Sequence, residues 1–174
     1  MLPIDKIEYL GKIVYMGNTA KLQLHLLMTS PVFLSAIFSW LSAQLIKTLI
    51  RLVSGRVSSL KELFELLFWK TGSMPSSHCA LVVALATSIG YRSGIHSDIF
   101  ILACCFALVV VRDAVGVRRS SGIQAKVINE IGFILSKKEM PDFKPVKEVQ
   151  GHKPLEVIIG SLLGFFIGTA FSIL

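Results

Sequence analysis

The sequence predicts an all-α integral membrane bundle, and three observations carry that prediction. The chain of 174 residues is 53% hydrophobic and only 17% charged, where about 25% charged is ordinary for a soluble domain. Four apolar stretches are long enough, or nearly so, to cross a hydrocarbon core that needs about 20 helical residues. The few charges are lopsided: 18 Lys and Arg against 11 Asp and Glu, for a net charge of +7. A mean hydropathy of +0.68 excludes a disordered chain and fits a soluble domain poorly. An apolar, basic chain reads as a membrane protein that carries its positive charge on one side, with membrane lipids rather than nucleic acid as partners.

The spans follow in order. The first runs from about Pro31 to Ile46, with an earlier start at Leu24 as the alternative; the second from Ser77 to Tyr91; the third from Ile99 to Val111; the fourth from Leu155 to Leu174. The second and third are short, which is tolerable where one end opens into a polar cavity lined by protein. Ser58 to Trp69 alternates Leu and Phe with Lys and Glu at helical spacing, with Ser59 and Glu62 as a capping box. Ile123 to Leu135 has the same character, and both are expected to be interfacial amphipathic helices. Lys137 to Gly151 reads as a polar loop containing proline. Residues 1–30 are expected to form an N-terminal amphipathic extension, and 31–174 one membrane domain with a polar cytoplasmic insertion at about 120–151. The glycines at 160, 164 and 168 give a small-residue face for close helix packing, within the bundle or, alternatively, across a homodimer. Cys79, Cys104 and Cys105 fit neither a zinc site nor a disulfide framework and read as buried free thiols.

Threading four spans places 14 of the 18 Lys and Arg on one side; Lys6, Lys12, Lys21 and Arg92 are on the other. By the positive-inside rule the rich side is cytoplasmic, and the C-terminus lies outside. Three polar clusters share that side. Gly72 to His78 (GSMPSSH) precedes span two, with Ser76 and Ser77 where N-cap residues belong and Lys70 just upstream. A helix N-terminus beside a cation suits an anion. Arg112, Asp113, Arg118, Arg119 and Gln124 follow span three, where paired arginines can grip a phosphate or merely anchor the helix at the headgroups. His152 and Glu156 open span four, and their spacing of four lets the carboxylate hold the imidazole in one tautomer. Two imidazoles, an orienting carboxylate and several cations suit phosphoryl transfer through a covalent phosphohistidine. The carboxylates are too few for a two-metal hydrolase, so neither metal nor cofactor is expected.

The strings GSMPSSH, DAVGVRRSSGIQA and GHKPLEVIIG, in that order, resemble the signatures of type 2 phosphatidic acid phosphatases, which share a fold with vanadium haloperoxidases. They are more similar still to the divergent branch of that superfamily, small bacterial membrane proteins of the YuiD-like type. The resemblance covers about Ala43 to the C-terminus. It implies a helical bundle that hydrolyses a phosphate ester without metal. By motif position His152 is the nucleophile, Glu156 takes the place of its orienting Asp, and His78 is the general acid. Ser76 and Ser77, with their amides, cradle the phosphate, and Arg118 or Arg119 corresponds to the arginine that precedes the nucleophile. Lys47 stands for the first signature's lysine, with Arg56 or Lys70 as its companion; Asp113 and Gln124 are supporting residues. Ser77 replaces the glycine usual before the acid histidine, and the arginine is more than thirty residues from His152, so the intervening segment must fold back.

The function expected is a membrane-embedded phosphatase acting on a lipid or polyprenyl phosphate or diphosphate in the bacterial cytoplasmic membrane. The alternative is a non-catalytic protein that binds or transports a phosphorylated lipid through a degenerate site of the same kind.

Overall fold

The computed structural model describes residues 19–54, 74–136, 143–148 and 151–174. The stretch Ser58 to Trp69, with Arg56 and Lys70, lies outside the described residues. After a helical stretch at residues 19–28 come five helices: α1 (Pro31–Val53), α2 (Ser77–Ser93), α3 (Asp98–Val115), α4 (Val117–Ser136) and α5 (Pro154–Ile173). No strand occurs among the described residues.

Local chemistry sets the helix ends. Pro31 begins α1, where a missing N–H costs nothing. Ser76 caps α2 through the Cys79 amide, and Ser97 caps α3 through that of Phe100. Gly94, with φ of 83°, terminates α2 in a conformation that favours glycine. The first span therefore runs seven residues past its expected end at Ile46, to Val53. The amphipathic helix expected at Ile123 starts earlier, at Val117. Only Gly116 separates it from α3, so the arginine pair lies on its first helical turn rather than in a loop.

Three described helices are long and apolar enough to cross a membrane: α1, α5 and the helix that begins at Asp98. The expected second span, α2, has 17 residues, or about 26 Å of helix against a hydrocarbon core of about 30 Å. Its shortness has a physical reason. It packs against α1, α3 and α5, so its flanks meet protein instead of lipid and need small residues instead of long apolar ones.

The packing is inside-out relative to a soluble protein. Ala36, Ala43, Ala80, Ala84 and Ala103 are buried, whereas Leu102, Phe106, Leu108 and Val109 of α3 point outward. Between α2 and α5 the contact is backbone to backbone. Gly160 lies against the Ser76 carbonyl, Gly164 against that of Ala80, and Gly168 against Ala84 and Thr87. The glycine face is therefore used within the chain. At the far end Phe38 and Phe171 join α1 to α5 with ring centroids 5.0 Å apart, and the Ser172 and Ser88 hydroxyls are hydrogen-bonded at 3.0 Å.

Gly164→Val places a side chain against the Ala80 carbonyl and is expected to destabilise the bundle by about 1–3 kcal/mol. Denaturant titration in detergent measures it, with the lipid-facing Leu162→Ala expected to cost far less.

Candidate functional site

The site forms where the N-terminal ends of α2 and α5 meet the last turns of α1 and the α3–α4 corner. His152 precedes α5 and is 4% exposed. Its Nδ1 lies 2.9 Å from Glu156 Oε2, and its amide donates to the Ala114 carbonyl at 3.3 Å. With Nδ1 as the donor to a carboxylate, Nε2 is left with a free lone pair. Glu156 has two further attachments. The same Oε2 accepts from the Lys153 amide at 3.3 Å, and its backbone carbonyl accepts from the Ser76 amide at 2.9 Å. One residue thus orients the imidazole, caps α5 and ties α5 to the start of α2.

Lys47, on α1, is 3% exposed. Its Nζ donates to Ser77 Oγ at 3.1 Å and Gln44 Oε1 at 3.2 Å. Both acceptors are neutral, and Lys47 makes no ion pair with a carboxylate within 4 Å among the described residues. A buried ammonium held this way is incompletely compensated and attracts an anion. Gln44 was not expected from the sequence; its position three residues before Lys47 on a buried helix face is the signal that marks it.

At the α3–α4 corner Arg118 Nε donates to Asp113 Oδ2 at 2.6 Å, with the two side chains 43% and 36% exposed. The contact engages Nε and leaves the Nη donors for another acceptor. His78 is exposed and lies within reach of the charges of Arg118, Lys47, His152 and Asp113. The structure thus brings together His78, His152, Glu156, Lys47, Ser76, Ser77, Arg118 and Asp113 from four separate stretches of chain.

Two of the expected site residues are engaged by partners within the protein. The Ser76 amide donates to the Glu156 carbonyl and its hydroxyl accepts from the Cys79 amide, and the residue is fully buried, so its amide is committed to building the site. Gln124 is exposed and donates to Ser120 on its own helix at 3.4 Å. Arg119 is exposed and meets the site through its backbone, against Gly151. Among the described residues no group of three or more His, Cys, Asp or Glu side chains is placed to hold a metal ion.

The segment before His152 does fold back, as its length requires. Asn129 Oδ1 accepts from the Val146 amide at 2.7 Å, while Nδ2 donates to the Val146 carbonyl and Glu148 Oε1, each at 2.9 Å. Phe143 lies over Gly132. Residues 143–148 are thereby clipped to α4.

Residues 28–167 match the family described as the divergent PAP2 family. The chain belongs to that family. A further relative, the membrane protein YuiD of Bacillus subtilis (strain 168), named as uncharacterized, is 36% identical over 152 residues, 81% of this chain and 93% of its own length. No solved structure matches the chain. This divergent PAP2 protein is integral to the membrane, as its apolar helices and its membrane-protein relative agree.

Asn129→Ala removes three hydrogen bonds to the clipped segment and is expected to cost about 1–3 kcal/mol locally. Trypsin cleavage after Lys147 should accelerate while the helical content stays unchanged; an unchanged cleavage rate contradicts the clip.

Proposed function

We propose that this divergent PAP2 protein is a metal-independent phosphatase of a lipid or polyprenyl phosphate monoester or diphosphate. The observation that supports this best is the His152–Glu156 contact beside the buried Lys47, with the exposed His78 opposite. In this reading His152 Nε2 attacks phosphorus and the bond to the ester oxygen breaks. The departing alcohol or phosphate takes a proton from His78. Glu156 stabilises the imidazolium form of His152 through Nδ1–H, as an orienting carboxylate does. Water then attacks the phosphohistidine, His78 accepts its proton, and inorganic phosphate leaves with His152 restored. Lys47, the Ser77 hydroxyl and the Arg118 Nη groups hold the phosphate oxygens, strengthening as charge gathers on them. A site at the ends of membrane helices suits an amphiphile whose chains stay in lipid.

The second reading is a protein that binds or moves a phosphorylated lipid without cleaving it. The Ser77–Lys47 hydrogen bond favours it, because a hydroxyl occupies a cation that an anion would otherwise use. Phosphate release from a panel of lipid phosphates in detergent separates the two. His78→Ala is expected to lower the rate by roughly 10²–10⁴-fold, His152→Ala to abolish it, and orthovanadate to inhibit as a mimic of pentacoordinate phosphorus. Activity that survives both substitutions refutes the assigned roles. Retained lipid binding without any turnover supports the second reading.

The charge asymmetry supports a bacterial cytoplasmic membrane with the site facing the cytoplasm. Alkaline phosphatase fused after Leu174 should then be active and a fluorescent protein there dark; the reverse pattern inverts the topology.

A further inference from the structure

Between α2, α3 and α5 lies an apolar recess of about 530 Å³. Its floor is made of small residues, Ala86, Gly90 and Ala107, and its sides of Leu108 and Phe165. Phe100 closes the far end; its ring lies so near Gly90 that an added Cβ would stand 2.8 Å from it. Nothing in this recess serves the phosphate chemistry, yet it begins directly under the site. Val111 lines its near end and also packs on Cys79, Ala114 and Val157. Each of those three follows a site residue in the chain: His78, Asp113 and Glu156.

We infer that this recess holds a hydrocarbon chain of the phosphorylated lipid whose headgroup occupies the His152–Lys47 site. The inference rests on the lipid-phosphate reading of that site and adds the place and depth of the chain. Within a bilayer a recess gains nothing from escaping water, so its occupant is selected by packing and by what tethers it. A partner helix seated there would cover the slot without reaching the phosphate site. A chain hanging from a bound headgroup enters it through Val111. From Ala114 to Cys104, which lines the recess, α3 descends about 15 Å, close to the thickness of one leaflet. A short chain ends above that depth, and a long one passes it.

Cys104 supplies the probe, because it is exposed in the recess, whereas Cys105 is exposed but does not line it, and Cys79 is buried. The full-length protein in detergent is treated with a membrane-permeant maleimide, and labelling at Cys104 relative to Cys105 is read by mass spectrometry. Long-chain phosphatidate is expected to slow Cys104 labelling severalfold, and dibutanoyl phosphatidate to leave it unchanged. Long-chain diacylglycerol, without the phosphate, should protect far less. Equal protection by diacylglycerol identifies a bystander lipid and overturns the inference, as does absence of protection by any lipid. Protection that rises with protein concentration and ignores lipid points to a second copy in the recess and overturns it too. Because the readout needs no turnover, protection by long-chain phosphatidate in a protein that releases no phosphate upholds the chain site while the catalytic reading fails.

Discussion

The close approach of α2 and α5 is the constraint on which the rest depends. In lipid there is no hydrophobic drive for helices to associate, so backbones must come near enough for dispersion and weak polar contacts to hold them. Here the approach is made by a four-residue repeat on each side, Gly160, Gly164 and Gly168 against Ser76, Ala80 and Ala84. Its topmost contact is also the floor of the site. With Gly160 on the Ser76 backbone, the Ser76 amide reaches the Glu156 carbonyl, and the Glu156 side chain turns back to His152. A side chain at 160 would therefore push on the Ser76 backbone, whose amide holds the Glu156 carbonyl, and so disturb the carboxylate that orients the imidazole. Packing and chemistry are one arrangement at this point.

The same arrangement explains why the polar groups concentrate at one end. Deeper in the bundle the polar groups are neutral hydroxyls: Ser172 donates to the Gly168 carbonyl, while the Ser39 and Thr169 hydroxyls are buried without a hydrogen-bond partner. At the site end the groups are charged, and a low-dielectric setting raises both the cost of leaving them unpaired and the strength of any pairing. Lys47 is the extreme case: nearly inaccessible, held by two neutral oxygens, and within reach of the Glu156 charge. His152 is as buried, and its carboxylate partner is in direct contact. Arg118 and His78 stand further out. The site thus grades from buried groups to exposed ones, and under the proposed function a phosphate from the aqueous side would meet His78 and Arg118 before Lys47.

Much of this was legible in the sequence, for identifiable reasons. Apolar runs, Ser before a helix, a His and Glu four apart and glycines every four residues are local patterns, and local geometry realises them as α1 to α5, the Ser76 cap, the His152–Glu156 contact and the α2–α5 interface. What was not legible depends on contacts between distant stretches. That the Ser76 amide is consumed by Glu156 follows only once α5 is docked. Gln124 looked equivalent to its neighbours in the string RRSSGIQA until helix α4, which begins at Val117, set it against Ser120. Nor does any pattern single out Asn129, whose importance lies in meeting Val146 seventeen residues later.

The basic excess can now be divided into charges with different work. Lys47 and Arg118 converge on the site, the first buried and the second fixed by Asp113. Lys126 pairs along α4 with Glu130 at 3.9 Å, both exposed, a contact worth little by itself. Lys144 and Lys147 are exposed on the clipped segment. By the positive-inside rule, positive charge on the exposed groups would bias the orientation of the helices whatever the outcome at the site. Positive charge on Lys47 has no such use. It meets no carboxylate directly, and under the proposed function an anion bound between it and His152 would account for its burial.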